Sequence, residues 1–333
     1  MTNSKLKSQF NLKNKGYTIM DYIPNKAYIA KEGNLVFESS DGPTRACSEG
    51  FFLIKMPEKF NVNPLEQMAD NFFKEKSESL NVCDNVYRGY KKGNPDDTSQ
   101  GFYVDRENNQ CESLYLNRDA FIKHPNALPI ELKTPVTEML NISVLVLKYF
   151  LNVAGIPSNL WAEATNSAFD ENIPEFGVGF NHYRSYKQVL GTIPHKDSSW
   201  VTILYSVEPG LQAYINNDWV SINPIHGYFT VNFGSGLDVL TKNAKKHVVA
   251  SLHQVIQQNK EKKDRFSVVL FFQPDPQNTS AKLYSYDCDA RKLVYQKSYK
   301  EFNSELMKKY DNSEHKIEHF NSENLTSNLS DLL

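Results

Sequence analysis

The stretch from about residue 175 to residue 273 most limits what this chain can fold into. There, short apolar segments follow one another at even spacing, each closed by turn residues. Gly177–Tyr183, Trp200–Val207, Leu211–Ile215, Trp219–Ile222, Tyr228–Phe233, Val248–Ile256 and Phe266–Gln273 are rich in β-branched and aromatic side chains. Segments of this length and composition read as strands. Asn216-Asn217-Asp218 supplies a hairpin turn between the third and the fourth.

Upstream the period changes. Leu65, Met68, Ala69, Phe72 and Phe73 recur at helical spacing after Pro64, and a longer helix is expected from about Pro135 to Ala154, stopped by Gly155-Ile156-Pro157. Gly50-Phe51-Phe52-Leu53-Ile54-Lys55 reads as a short buried strand. Residues 81–110, rich in Gly, Asn, Asp and Lys, read as loops around Tyr87-Arg88-Gly89-Tyr90. Strands massed behind helices predict an α+β chain with a mainly β, jelly-roll core and supporting N-terminal helices. The expected organisation is a loose N-terminus (1–16), a mixed helical region (17–175), the β core (176–280) and a C-terminal part (281–333). That last part holds a strand at Lys292–Gln296, a helix near Phe302–Tyr310 and a polar tail.

A hydrophobic share of 40% over 333 residues suffices for such a core. The net charge is −2, with basic residues spread along the chain, so no nucleic-acid footprint is present. Cys47, Cys83, Cys111 and Cys288 stand far apart and read as reduced thiols, neither disulfides nor a zinc site. The first twenty residues lack an apolar signal-peptide core, and no apolar run approaches the roughly 18 residues that span a bilayer. A soluble, cytoplasmic monomer is expected, without membrane or nucleic-acid partners.

His195-Lys196-Asp197 is the first candidate site. Residues i and i+2 of an extended segment point the same way, so imidazole and carboxylate can address one metal. A distant second imidazole would complete a 2-His-1-carboxylate facial triad, which leaves three octahedral positions open on Fe(II). Alone, HxD fits a surface turn equally well. His253 lies within the apolar run Val-Val-Ala-Ser-Leu-His-Gln-Val-Ile, where an imidazole needs either core partners or a metal. It is preferred as third ligand over His247, which follows Lys245-Lys246. Arg265 and Ser267 share one face at the start of a strand. A guanidinium aimed into a barrel needs an anion, and its planar fork suits a carboxylate; a surface ion pair is the plainer alternative. Asn181 and Tyr183 share a strand face in the same way.

From about Gly50 to Pro274 the chain resembles the 2-oxoglutarate/Fe(II) oxygenases grouped with isopenicillin N synthase, anthocyanidin synthase and flavonol synthase. The resemblance rests on the shared order of Gly50-Phe-Phe, Tyr87-Arg-Gly-Tyr90, Asn181-His-Tyr183, His195-Lys-Asp197, Gly210-Leu-Gln, Trp219-Val, Val231-Asn-Phe-Gly, Leu252-His253-Gln-Val and Arg265-Phe-Ser267. It implies a double-stranded β-helix of cupin-like type, with iron on His195, Asp197 and His253. It also implies that Arg265 and Ser267 hold the distal carboxylate of 2-oxoglutarate, assisted by Tyr183 and Asn181, with O2 as second co-substrate. Three departures stand out: a longer His253–Arg265 spacing, Arg184 where many relatives carry proline, and Phe233-Gly-Ser235 in place of a Gly-Asp ending.

The activity so implied is oxidation of a small molecule, by hydroxylation, desaturation or ring closure, with release of succinate and CO2. Halogenating relatives carry a small residue where Asp197 stands, which argues against halogenation. The resemblance is to enzymes of natural-product biosynthesis. Arg88, Tyr90, Arg184, Trp200 and Phe272 are candidate pocket walls, and the two arginines would suit an acidic substrate, as in a kainoid-type ring closure. Two alternatives remain open: an oxygenase fold that only binds, and a zinc or manganese cupin-like enzyme without 2-oxoglutarate. The latter would leave Arg265 and Ser267 unexplained.

Overall fold

The computed structural model describes residues 22–75, 87–89, 101–106, 109–122, 128–169, 175–261, 263–274 and 278–317. The first half contains β1 (Lys26–Ile29), β2 (Leu35–Phe37), α1 (Gly42–Glu49), β3 (Phe51–Lys55) and α2 (Asn63–Glu75). Then come β4 (Tyr87–Gly89), β5 (Gly101–Asp105), β6 (Cys111–Asn117), α3 (Arg118–Ile122), α4 (Lys133–Val153) and α5 (Trp161–Ala164). The second half runs through β7 (Phe176–Tyr183), β8 (Thr192–His195), β9 (Val201–Ser206), β10 (Leu211–Ile215), β11 (Asp218–Ser221) and β12 (Tyr228–Phe233). It ends with α6 (Ser235–Thr241), β13 (His253–Val255), β14 (Arg265–Phe272), β15 (Lys282–Asp287), β16 (Lys292–Ser298) and α7 (Tyr299–Ile317).

Ten strands form a large sheet in the order β2-β1-β3-β12-β9-β14-β7-β6-β5-β4, and four form a smaller one, β11-β10-β13-β8. Period-two alternation gives each strand two working faces. On β14, Val268, Leu270 and Phe272 point into the main core, where α4 delivers Met139, Val146, Leu147 and Phe150. Phe150 meets Phe233 edge-on at 4.5 Å between ring centroids, a favoured aromatic geometry. Residues 265, 267, 269 and 271 of β14 face the other way, into the site described below.

Helix α4 forms because an apolar stripe runs unbroken from Pro135, which sits in the first turn where its missing N–H costs nothing. Gly155, at φ +77°, ends it in the left-handed conformation that side chains disfavour. Ile130–Val153 has the length and apolar character of a membrane span, but half of that window is buried inside the fold. It is a core helix. The β10–β11 hairpin turns on Asn216 and Asn217, both at positive φ, with Ile215 opposite Asp218. Two asparagines suit that turn because they tolerate the left-handed region.

Three local expectations need correction. Residues 81–110 are not all loop, since β4 and β5 lie within them. The Val248–Ile256 segment pairs as a strand only over His253–Val255, its upstream part running extended beside α1 and α6. The C-terminal helix is longer than the Phe302–Tyr310 segment expected.

Candidate metal and co-substrate site

Among the described residues one group of three potential metal ligands converges: His195, Asp197 and His253, with ligand atoms all within 4.8 Å of one another. Strand pairing brings them together. His253 on β13 lies directly opposite His195 at the end of β8, and Asp197 follows two residues on. Each imidazole Nε2 is 3.8 Å from Asp197 Oδ1, and the two ring centroids are 4.4 Å apart.

The surroundings fix how these groups present themselves. His195 Nδ1 donates to the Ile193 carbonyl at 2.8 Å, and His253 Nδ1 to the Ser251 carbonyl at 3.0 Å. Both Nε2 lone pairs therefore face Asp197, the tautomer a metal requires. Burial, reinforced by neighbouring His253, pushes His195 down to about 4, so its imidazole is neutral near pH 7. Thr202 donates to Asp197 Oδ2 at 2.7 Å, and Ser199 lies 2.8 Å behind Thr202. That leaves Oδ1 for a metal. His247, the rival ligand, is instead bound to Asp238 at 2.7 Å.

A cavity of about 1430 Å³ opens beside the triad. Arg265 lies on its wall, buried to 1% exposure, with Nη1 lacking any hydrogen-bond partner among the described residues. Its Nε donates to the Glu208 carbonyl at 3.3 Å, and its guanidinium stacks 4.6 Å over the Tyr183 ring. An orphaned buried guanidinium is costly, so the pocket is shaped for an anion. Ser267 and Asn181 stand opposite each other across β14 and β7, their side chains 3.4 Å apart, and Ser113 donates to Asn181 at 2.6 Å. Burial, then the neighbouring Cys111, pushes the Tyr183 phenol up to about 12, so it remains a neutral donor. The expected donor set for Fe(II) and a dicarboxylate thus lines one chamber, its walls completed by Leu204, Leu211, Val255 and Val269.

Residues 176–274 match the 2OG-Fe(II) oxygenase superfamily. The superfamily segment holds the triad, Asn181, Tyr183, Arg265 and Ser267. Lateral Branching Oxidoreductase 1 of Arabidopsis thaliana is 31% identical over 134 residues, 38% of this chain and 35% of that protein. Gibberellin 20 oxidase 4 of the same plant is 33% identical over 122 residues, covering 35% and 30%. The matched segment thus spans about a third of the length of these relatives. A full-length Neurospora crassa protein, solved in complex with alpha-KG and thymine, superposes with a TM-score of 0.59 at 16% identity, over 82% of this chain and 92% of that one. That likeness shows the fold: a jelly roll of the oxygenase type.

The candidate pocket walls fare less well. Trp200 and Phe272 are buried against each other at 5.6 Å, in the core behind the sheet. Phe271, one residue earlier, faces the cavity, because Arg265 sets an odd-numbered inward register on β14. Arg184 also lies off the cavity, in a bidentate pair with Asp105. Arg88 falls in the short strand β4, opposite Tyr103; Tyr90 lies outside the described residues.

Sequence reasoning missed β6 and the part α7 plays in the site. Tyr115 stacks on Phe102 at 4.9 Å and approaches Phe271, making an aromatic wall. Gly177 permits it, since a Cβ there would sit 1.7 Å from the Tyr115 hydroxyl. Helix α7 adds Phe302, Leu306, Met307 and Tyr310, whose ring lies edge-on to His195 at 5.6 Å. The alternation in Cys-Glu-Ser-Leu-Tyr-Leu-Asn was the available signal for β6.

Proposed function

We propose that this protein is an Fe(II)- and 2-oxoglutarate-dependent oxygenase acting on a small organic molecule. The observation that carries the reading is the pairing, in one chamber, of a facial His-Asp-His set with a buried arginine whose Nη1 has no partner among the described residues. His195 Nε2, His253 Nε2 and Asp197 Oδ1 would hold the iron. Arg265, with Ser267 and Tyr183, would hold the far carboxylate of 2-oxoglutarate. When bound, iron and 2-oxoglutarate supply O2-dependent oxidation coupled to release of succinate and CO2.

The chain's own residues orient and insulate. The Ile193 and Ser251 carbonyls fix both imidazole tautomers, and Thr202 turns the Asp197 carboxylate. Leu204, Leu211, Val255 and Val269 exclude water around the chelating groups. The Tyr115, Phe102 and Phe271 wall gives the primary substrate an apolar face, while Lys196 and Lys242 supply positive charge along the cavity, where Arg118 is paired with Glu175. Those features suit a carboxylated substrate with an apolar body. Hydroxylation, desaturation and ring closure are each compatible with the chamber, including closure of a carboxylated amino-acid precursor of the kainoid type. The thymine complex of the Neurospora crassa neighbour supports a small-molecule substrate for this fold.

The test is an anaerobic titration of the metal-free protein with Fe(II), then 2-oxoglutarate, followed in the visible region. A weak charge-transfer band that needs both is expected. Iron binding without the band would favour a cupin-like metal enzyme, and no metal binding would favour a purely binding role. Succinate release, screened against amino acids, carboxylated terpenoid amines and phenolics, then defines the substrate.

A further inference from the structure

His182 sits on the far side of β7 from the cavity, between two inward-facing residues, Asn181 and Tyr183. Its ring stacks on Phe266 at 4.6 Å, with planes only 7° apart. Its Nε2 is 2.9 Å from Asp264 Oδ2. Asp264 and Phe266 are the two residues that flank Arg265. One side chain therefore grips both neighbours of the arginine, across a register that places Arg265 opposite Tyr183 and Phe266 opposite His182.

The other nitrogen, Nδ1, is 2.7 Å from Glu112 Oε1. Glu112 is fully buried on β6, and its second oxygen receives the Tyr103 hydroxyl at 2.5 Å and lies 3.4 Å from Arg184. Asp264 Oδ1 receives the Ser185 backbone N–H at 2.8 Å. Both carboxylates are thus supplied with donors elsewhere and present acceptors to the imidazole. The imidazole thus bridges two carboxylates, tying β6 to the residue that precedes Arg265. Phe73 of α2, also against the imidazole, is apolar and 5.1 Å away.

We infer that His182 is a positioning residue, which holds the Asp264–Phe266 segment so that the Arg265 guanidinium meets the carboxylate of the co-substrate. This rests on the oxygenase reading above. It makes co-substrate affinity sensitive to a group that touches neither the metal nor the ligand. Replacing the imidazole removes the stack on Phe266 and loosens the tie between Glu112 and Asp264, and affinity for 2-oxoglutarate falls.

The test is 2-oxoglutarate affinity of the Fe(II)-loaded protein, measured anaerobically by absorbance at neutral pH. Wild type, His182→Gln and Asp264→Asn are compared. His182→Gln keeps one donor and should fold. It is expected to weaken 2-oxoglutarate by roughly tenfold, the scale of one hydrogen bond to a carboxylate, with Fe(II) affinity unchanged. Asp264→Asn should reproduce the weakening. Turnover should show a raised KM for 2-oxoglutarate with kcat little altered. Equal affinities in wild type and His182→Gln would overturn the role of His182 while leaving the oxygenase reading intact. Failure of the wild type to bind 2-oxoglutarate with iron in place would remove both.

Discussion

His195 and His253 stand in the same relation to their own strands: each donates Nδ1–H to the carbonyl two residues upstream, Ile193 in one case and Ser251 in the other. Because the two residues are also directly paired across β8 and β13, both Nε2 atoms reach Asp197 Oδ1 at the same 3.8 Å. The symmetry is a consequence of backbone register. It needs no support from the cavity side, and so it leaves the open face of a metal free for ligands.

That relation separates the two candidate third ligands. His253→Ala removes a metal donor and should abolish tight Fe(II) binding, whereas His247→Ala breaks a bond to Asp238 and should leave it intact. Metal affinity of the two variants, by competition with a chelator, decides the assignment. Iron retained by His253→Ala and lost by His247→Ala would reverse it.

Arg265 offers a test in which stability and function move in opposite directions. The guanidinium is buried with Nη1 unsatisfied. Arg265→Met keeps most of the volume and removes the desolvated charge. Without co-substrate it should raise stability by about 1–3 kcal/mol, the cost of an unsatisfied buried polar group. Binding of 2-oxoglutarate should be lost while Fe(II) still binds. Thermal unfolding of the metal-free proteins measures the first effect and the anaerobic titration the second. A destabilised variant would mean that the stacking on Tyr183 outweighs the orphaned donor.

Legibility of the sequence followed the strength of its alternation. β7, β9, β10, β12 and β14 were readable because apolar and β-branched residues fill them, and Asn216-Asn217 marked the hairpin. β8 was not, since Thr192–His195 is short and contains Pro194, although it carries a ligand. β6 alternates strictly in burial, but Glu112 stands at a buried position and broke the apolar pattern. Spacing on extended segments made the triad and Arg265 candidates, and the shared order of motifs assigned their roles. The pocket walls could not, because they depend on which face of a strand looks inward and on α7, which returns from far along the chain.

The neighbouring phenylalanines of β14 show how sharply that facing matters. Phe272 is fully buried against Trp200, while Phe271 is partly exposed on the cavity wall. Phe272→Ala should cost about 3–5 kcal/mol, as large-to-small core changes do. Phe271→Ala should cost clearly less and alter substrate range. Denaturant unfolding of both variants is the check, and equal losses would contradict the assigned register.

Arg184, a candidate substrate contact by sequence, instead pairs with Asp105 through both guanidinium nitrogens, with its Nε on the Gln110 carbonyl. Partial burial pushes the Asp105 carboxyl up, but Arg184, followed by Lys187, brings it net below the ordinary carboxylate range. A depressed carboxyl stabilises the fold above its unfolded value, about 3.9, and that contribution fades as pH falls through the folded value. Arg184→Met leaves Asp105 without its main partner and should cost about 3 kcal/mol or more near pH 7. The deficit relative to wild type should shrink below about pH 4, where Asp105 takes up a proton in the variant and the wild-type pair weakens. Urea unfolding of both proteins at neutral and acid pH measures the difference. A substrate contact would instead raise KM at unchanged stability, so a variant that unfolds like wild type at pH 7 would return Arg184 to the substrate side.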